Sequence, residues 1–120
     1  MINMIVGSGI DIIEVKRVKD AIKKWKDGFL KRVFTEEELA YAKNRRFPYE
    51  HLAARFAAKE AVIKAFSDQK IDFKDIKIIN NENGKPICEL KTKRNGIQIT
   101  ISISHTKDYA VASAIITKKN

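Results

Sequence analysis

The sequence is poor in the residues that build disulfides and zinc sites. It contains one cysteine, Cys88, and two histidines. A lone cysteine excludes an intrachain disulfide, and one thiol with two imidazoles offers too few ligands for a typical zinc cage. We therefore expect a reducing, cytoplasmic compartment.

Long apolar runs are also missing. No apolar segment approaches the ~20 residues that a membrane-spanning helix requires. The first seven residues have no basic stretch before their apolar side chains, which is not the pattern of a secretory signal. The sequence thus predicts no membrane segment.

The chain is instead rich in apolar and basic residues. With 120 residues, of which 44% are hydrophobic, it is long enough for one domain with its own core, spanning residues 1–120. The 24 lysines and arginines exceed the 15 acidic residues, for a net charge of +9, and they are spread along the whole length. This excess predicts an acidic partner, but charge alone does not distinguish nucleic acid, anionic lipid, a phosphorylated metabolite and an acidic protein.

The first half of the chain has a short strand signal followed by helical signals. Residues 4–10 predict a strand that runs into Asp11. A basic amphipathic helix follows, because apolar residues recur at helical spacing: Val15, Val18, Ile22 and Trp25. Asp27-Gly28 is expected to break this helix, and Thr35 with Glu38 three residues later is a capping-box signal that opens the next one.

A long central helix is predicted over residues 49–66. One of its faces carries large apolar side chains: Leu52, Phe56, Ile63 and Phe66. A second face carries small ones: Ala57, Ala58, Ala61 and Ala65. The small face would let another backbone come close, and Glu60 and Lys64 occupy the strip between the two apolar faces.

The second half of the chain predicts strands. Residues 73–80 and 86–90 flank a turn-rich stretch that contains an Asn-Gly pair. Residues 97–104 alternate strictly between isoleucine and polar residues, which is typical of a strand with one buried face, and residues 109–116 form the return strand. The expected fold class is α+β, with helices packed on an antiparallel sheet that the first strand joins.

Four residues are candidates for chemistry: Asp11 at a strand end, Glu60 and Lys64 on the central helix, and His105 in a predicted hairpin loop. Two carboxylates without sulfur or clustered imidazoles suit a hard cation such as magnesium, which completes its shell with water and substrate phosphate. Nearby lysines would neutralise further phosphate charge. The residues alone therefore indicate a magnesium and phosphate-ester site.

Each candidate also has a structural alternative. Asp11, followed by Glu14, fits the N-cap of the basic helix. Glu60 and Lys64 have the favoured spacing and order of a helical ion pair. A single histidine such as His105 is more often an ordinary loop residue than a site residue.

Four segments resemble one family of enzymes. They are Gly9-Ile10-Asp11 with Arg17, Arg55-Phe56-Ala57-Ala58-Lys59-Glu60-Ala61 with Lys64-Ala65, Asn83-Gly84-Lys85-Pro86, and Ser102-Ile103-Ser104-His105-Thr106-Lys107. In order and spacing they resemble the holo-[acyl-carrier-protein] synthase family of small-type 4'-phosphopantetheinyl transferases. The resemblance covers nearly the whole chain, and residues 18–48 match in pattern only.

The resemblance implies a reaction and its catalytic residues. The 4'-phosphopantetheine arm of coenzyme A is moved to a serine of an apo-acyl carrier protein for fatty acid biosynthesis, and 3',5'-ADP is released. By family analogy Asp11 and Glu60 hold Mg2+, with Mn2+ as an alternative, and Lys64 contacts the coenzyme A diphosphate. The family fold is a homotrimer with its sites at subunit interfaces.

Two further sets of residues are implied in the same way. The nucleotide end of coenzyme A would be held by Arg55, Gly84, Lys85, Pro86 and His105. The acidic carrier protein would dock on the basic helix through Arg17, Lys16 and Lys23. The rival hypothesis is a small nucleic-acid-binding protein, but the aromatic residues fall mainly at core-periodic positions rather than on a basic sheet face, and we expect neither nucleic acid nor membrane as a partner.

Overall fold

The computed structural model describes residues 3–67 and 70–119, so the ends of the predicted domain, residues 1–2 and 120, lie outside the described residues. In chain order the elements are β1 (Asn3–Glu14), α1 (Val15–Trp25), α2 (Asp27–Val33), α3 (Glu36–Lys43), α4 (Pro48–Ala65), β2 (Ile76–Asn80), β3 (Pro86–Leu90), β4 (Ile97–His105) and β5 (Tyr109–Lys119).

The strands form two antiparallel sheets, and the predicted α+β class is confirmed. The larger sheet has the order β1-β5-β4, so the first strand joins the last two as predicted, and the smaller sheet pairs β2 with β3. The sequence predicted a single sheet. The difference arises between β3 and β4, where the intervening residues turn, with Gly96 at a positive φ of 76°, and the two strands belong to separate ladders.

Helix α4 is the centre of the core, and β1 lies directly on its small-residue face. Ala61 and Ala65 of α4 are buried, and a Cβ added at Gly9 or Gly7 would collide with their backbone carbonyl oxygens. The glycines of β1 and the alanines of α4 thus allow two backbones to meet, as the sequence predicted. This contact determines where β1 places its next inward-facing residue.

Two local predictions are wrong. Asp27-Gly28 does not break a helix; α1 ends one residue earlier, because Lys26 takes a positive φ of 48°, and Asp27 begins α2. Residues 73–75 are a 3-10 turn rather than the start of a strand. The side chains of Asp72 and Asp75 form a capping box there, and β2 begins at Ile76.

No helix among residues 3–67 and 70–119 has the length and apolar character needed to cross a membrane.

Candidate active site

The two predicted metal ligands lie at one cavity. Asp11 follows Gly7 and Gly9 on the side of β1 that packs on α4, and its side chain is 15% exposed. Glu60 projects from α4 into the same cavity of about 350 Å³, which Arg17 and Phe56 also line. The strand and the helix, far apart in sequence, therefore bring both carboxylates together.

Lys64 links the same two elements. Its ammonium donates to Asp11 Oδ1 at 3.2 Å and to the carbonyl oxygen of Ile10 at 3.0 Å. The alternative that Lys64 pairs with Glu60 is therefore wrong: across the helix–strand contact, Asp11 is the closer acceptor. The capping alternative for Asp11 is also wrong, since Asp11 lies within β1 and the N-cap of α1 is Glu14, which makes no side-chain cap bond.

The environment of Glu60 favours a cation. Burial is the largest cause that raises the pKa of the Glu60 carboxyl, the negative charge of Asp11 raises it further, and Lys64 opposes them. A divalent ion between the two carboxylates would offset the effect of Asp11 on the Glu60 charge. No group of three or more metal-ligating side chains occurs in the described part of the chain, but Mg2+ is often held by one or two protein carboxylates. The residues fit a magnesium ion.

The predicted nucleotide-binding residues form a second group. Arg55 on α4 is only 4% exposed, and its guanidinium donates to Asn80 Oδ1 at 2.7 Å. The Asn80 amide donates in turn to the carbonyl oxygen of Gly84 at 3.0 Å. Gly84 has a positive φ of 81°, and Lys85 and Pro86 follow it directly, so the turn before β3 is tied to α4.

Asn80 was not predicted as a site residue. Its sequence signal is weak, because an asparagine at the end of a strand and beside an Asn-rich turn is ordinary turn chemistry. Only the fold shows that its amide joins Arg55 to Gly84.

Aromatic and cationic side chains stack beside this group. The guanidinium carbons of Arg55 and Arg45 each lie 4.1 Å from the centroid of the Tyr41 ring. The Tyr41 ring contacts His51 edge-on, with 5.6 Å between centroids. Burial, reinforced by the charges of His105 and Arg55, lowers the pKa of His51.

His105 is the last residue of β4 and not a loop residue. Its ring lies 5.4 Å from His51 between centroids, and its Nδ1 is 3.2 Å from Glu50 Oε1. The strand continues to His105 because residue 105 still pairs with Ala110 of β5. His105 is thereby held at the Arg55 side of the molecule by a carboxylate of α4.

The two groups do not meet within one chain. Arg55 and Glu60 are five residues apart on α4, which places their side chains about 140° apart around the helix axis. Glu50, the partner of His105, is ten residues before Glu60 and so about 15 Å away along the axis. The carboxylate cavity and the Arg55 group therefore lie on different sides of the helix.

The predicted docking residues are also divided. Arg17 lines the carboxylate cavity. Lys16 and Lys23 instead line a separate groove of about 540 Å³, together with Phe47 and Lys107. Neighbouring residues on a helix point about 100° apart, so Lys16 and Arg17 cannot share one face of α1.

A buried ion pair next to the site was not predicted. Lys59 Nζ and Glu38 Oε1 are 2.6 Å apart and both side chains are fully buried. The predicted capping box of Thr35 and Glu38 is confirmed, but the sequence carries no signal that Glu38 also reaches Lys59.

The similarity to known proteins agrees with this geometry. Residues 7–114 match the 4'-phosphopantetheinyl transferase superfamily. The chain is 49% identical over 115 residues to a holo-[acyl-carrier-protein] synthase of Thermodesulfovibrio yellowstonii, a match that covers 95% of this chain and 100% of the relative.

Solved structures show the same fold. The holo-(acyl-carrier-protein) synthase of Bacillus anthracis str. Ames in complex with CoA (3',5'-ADP) is 37% identical, with a TM-score of 0.80 and coverage of 97% of this chain and 99% of that one. The Helicobacter pylori synthase in complex with coenzyme A is 29% identical, with a TM-score of 0.81 and coverage of 91% and 98%. The chain therefore belongs to the 4'-phosphopantetheinyl transferase superfamily, among its holo-[acyl-carrier-protein] synthases.

Proposed function

We propose that this enzyme transfers the 4'-phosphopantetheine group of coenzyme A to a serine of an apo-acyl carrier protein, releasing 3',5'-ADP, as a step that supports fatty acid biosynthesis in the cytoplasm. The observation that carries the proposal is the meeting of the Asp11 and Glu60 carboxylates at one cavity beside Lys64. Phosphoryl transfer mainly needs groups held in place and negative charge neutralised, and this cavity offers both.

Asp11 and Glu60 would hold the magnesium ion, and Mn2+ has the same preference for oxygen ligands. When bound, the ion supplies positive charge to the coenzyme A diphosphate and to the leaving phosphate. Lys64, which already lies at the Asp11 carboxylate, would contact the diphosphate as well.

In the reaction, the serine oxygen forms a bond to the phosphorus that carries the pantetheine arm. The bond from that phosphorus to the bridging oxygen breaks, and 3',5'-ADP leaves with the electron pair. The serine proton goes to a base at the cavity, for which Glu60 and a water molecule are the two options.

The nucleotide end would be bound by the second group of residues. Arg55, Lys85 and His105 offer positive or hydrogen-bonding groups for the 3'-phosphate, while Gly84 and Pro86 shape the turn beside Arg55. In one chain these residues lie on the other side of α4 from Asp11 and Glu60. A substrate that contacts both groups therefore needs two copies of the chain, which supports sites at subunit interfaces, as in the homotrimer that the family resemblance implies.

The outer face of the larger sheet supports the same assembly. Ile10 and Ile12 of β1 are each 66% exposed, and Ile115 of β5 is 40% exposed. Exposed apolar residues gathered on one sheet face are typical of a protein interface. A second and a third copy of the chain would cover them.

Mass spectrometry tests the activity. Purified enzyme, coenzyme A and Mg2+ are mixed with apo-acyl carrier protein, and the intact mass of the carrier is measured. We expect the addition of one phosphopantetheine group, no addition with EDTA, and none when the acceptor serine of the carrier is alanine. An unchanged carrier mass, while a control transferase modifies the same sample, contradicts the proposal.

Mixed assemblies test the shared site. Glu60→Gln and Arg55→Ala each damage a different half of the proposed site, so each alone should be nearly inactive. Refolded together in equal amounts, they should regain up to about a quarter of the wild-type activity, because that share of interfaces joins two intact halves in a closed symmetric oligomer. No recovery in mixtures that native mass spectrometry shows to contain mixed trimers, or full activity in a monomer, contradicts the shared site.

A further inference from the structure

The Lys59–Glu38 ion pair is complete in its hydrogen bonds. Besides Glu38, the Lys59 ammonium donates to the carbonyl oxygens of Val33 at 2.7 Å and Phe73 at 3.1 Å, which uses all three of its donors. Burial of an ion pair carries a large desolvation penalty unless further hydrogen bonds satisfy both groups. Here those hydrogen bonds are present.

Glu38 extends the connection to a strand. Its carboxylate accepts from the backbone N–H of Thr35 at 2.8 Å and from the backbone N–H of Ile78, in β2, at 2.7 Å. The pair therefore joins α4 to the beginning of α3 and to the middle of β2 through buried hydrogen bonds.

A second bridge between α4 and β2 runs beside the first. It is the hydrogen bond from Arg55 to Asn80. Arg55 lies four residues before Lys59, which is one helical turn on the same face of α4, and Asn80 lies two residues after Ile78, on the same face of β2. The inner bridge through Lys59 is buried, and the outer bridge through Arg55 leads to the turn at Gly84.

We propose that Lys59 and Glu38 are positioning residues for the nucleotide end of coenzyme A. The inner bridge holds β2 at a fixed place relative to α4, so that Asn80 meets Arg55 and the turn before β3 is formed before the ligand arrives. A surface formed in advance binds more tightly because the ligand does not have to order it. This inference rests on the proposed function.

The competing interpretation is that the pair only stabilises the fold. The two can be separated because a buried ion pair can often be replaced by neutral side chains without loss of stability, whereas removal of one partner leaves an uncompensated buried charge. Lys59→Met removes one partner and leaves the Glu38 charge buried without its counter-charge. Glu38→Gln combined with Lys59→Met removes both charges. The double variant still lacks the Lys59 ammonium, which is the group that joins the Glu38 carboxylate, and with it Ile78 of β2, to α4.

Ligand binding and unfolding are then measured on the same proteins. Calorimetry with Mg2+ present gives the affinities for coenzyme A and for 3',5'-ADP, and urea unfolding gives the stability. The matched control is Lys77→Met, since Lys77 also lies on β2 but forms ion pairs with Glu37 and Glu89 at the surface.

We expect the double variant to regain most of the stability that Lys59→Met loses, yet to bind both ligands on the order of tenfold to a hundredfold more weakly, as misplaced binding groups do. Its kcat at saturating coenzyme A should stay close to that of the wild type, and Lys77→Met should bind normally. Wild-type affinity in the double variant would show that the pair is only structural. A lower kcat with unchanged KM for coenzyme A would place the pair in the chemistry and overturn the inference.

Two further outcomes are decisive. If the wild type itself binds neither ligand, the proposed function fails and the inference fails with it. Amide hydrogen exchange of the wild type gives an independent measurement: the Ile78 N–H, which is bonded to the buried Glu38 carboxylate, should already be strongly protected without 3',5'-ADP. Protection that arises only when the ligand binds would show that β2 is not positioned in advance.

Discussion

Lys59 and Glu60 are neighbours on α4, but their charged groups lie in opposite environments. Lys59 is completely buried and surrounded by acceptors from three other segments. Glu60 lies at a cavity with a second carboxylate, Asp11, and its pKa is raised by burial and by that neighbour. The Lys59 charge is neutralised by partners within the protein and stabilises the fold. The Glu60 charge lies beside a like charge and is available to bind a cationic ligand.

The difference follows from helix geometry. One residue along a helix turns the side chain by about 100°, which directs Lys59 towards α2, α3 and the 3-10 turn at Phe73 and directs Glu60 towards β1 and α1. The same segment of sequence therefore supplies a core residue and a site residue, and the comparison between them can be tested by mutation.

The largest effect is expected from Glu38→Ala. This change leaves the Lys59 ammonium buried without its counter-charge, which typically costs about 3–5 kcal/mol. The measurement is the free energy of unfolding in urea. Glu37→Ala is the control, since Glu37 is next in sequence but 66% exposed, and its free energy of unfolding should change little. Equal losses of stability in the two variants would contradict the structural role of the buried pair.

Glu60→Gln should have the opposite effect: a large loss of activity with little change in stability. Loss of the carboxylate removes a metal ligand, and we expect kcat to fall about a hundredfold, equivalent to about 2.7 kcal/mol. Stability should be unchanged or slightly higher, because a partly buried charge has been removed. Asp11→Asn should lose activity similarly. Full turnover by either variant in a steady-state assay would remove that residue from the metal site.

Gly9→Ala tests whether the contact of β1 with α4 positions Asp11. The new methyl group meets the carbonyl oxygen of Ala61, and overpacking of this kind costs about 1–3 kcal/mol. We expect lower stability together with weaker Mg2+ binding. Gly28→Ala is the matched control, since a Cβ there meets nothing within 4 Å and alanine favours the helix; a loss of Mg2+ binding in both variants would contradict the role of the contact.

Arg17→Glu and Lys23→Glu test the division of the basic helix. Arg17 lies at the carboxylate cavity and Lys23 in the separate groove, so we expect the KM for the carrier protein to rise about tenfold with Arg17→Glu, or about 1.4 kcal/mol, and less with Lys23→Glu. The KM for coenzyme A should change little in both. Salt should weaken carrier binding to the wild type, because it screens exposed charges. If the two variants raise the KM for the carrier protein equally, the side of α1 at the carboxylate cavity does not contribute more to docking than the other side.

The pH dependence of Mg2+ affinity is the smallest expected effect. Protons compete with the metal for Glu60, so affinity is constant above the pKa of this carboxyl and falls as the pH drops through it. Because that pKa is raised, the fall should begin at a higher pH than for an ordinary glutamate. The same raised pKa means that the Glu60 contribution to folding stability is greatest at low pH and is lost as the pH rises through the folded-state value. Calorimetric titration with Mg2+ at several pH values measures the effect, and a fall that begins only in the ordinary glutamate range would contradict it.

Local patterns in the sequence were sufficient for much of this protein. Helical periodicity predicted α1 and α4, alternation predicted β4, and the capping box at Thr35 predicted the start of α3. Each of these signals acts between residues close in sequence, where backbone geometry and side-chain spacing are enough. The family resemblance, which the known relatives confirm, added the reaction and the candidate residues.

The tertiary structure alone decided which distant residues meet. Lys64 pairs with Asp11, 53 residues away, rather than with Glu60 one turn away. Glu38 reaches Lys59 because α3 packs against α4, and Asn80 reaches Arg55 because β2 packs against α4. The partner of a charged side chain depends on how separate elements approach each other, and that approach is determined by burial over the whole core rather than by any single stretch of sequence.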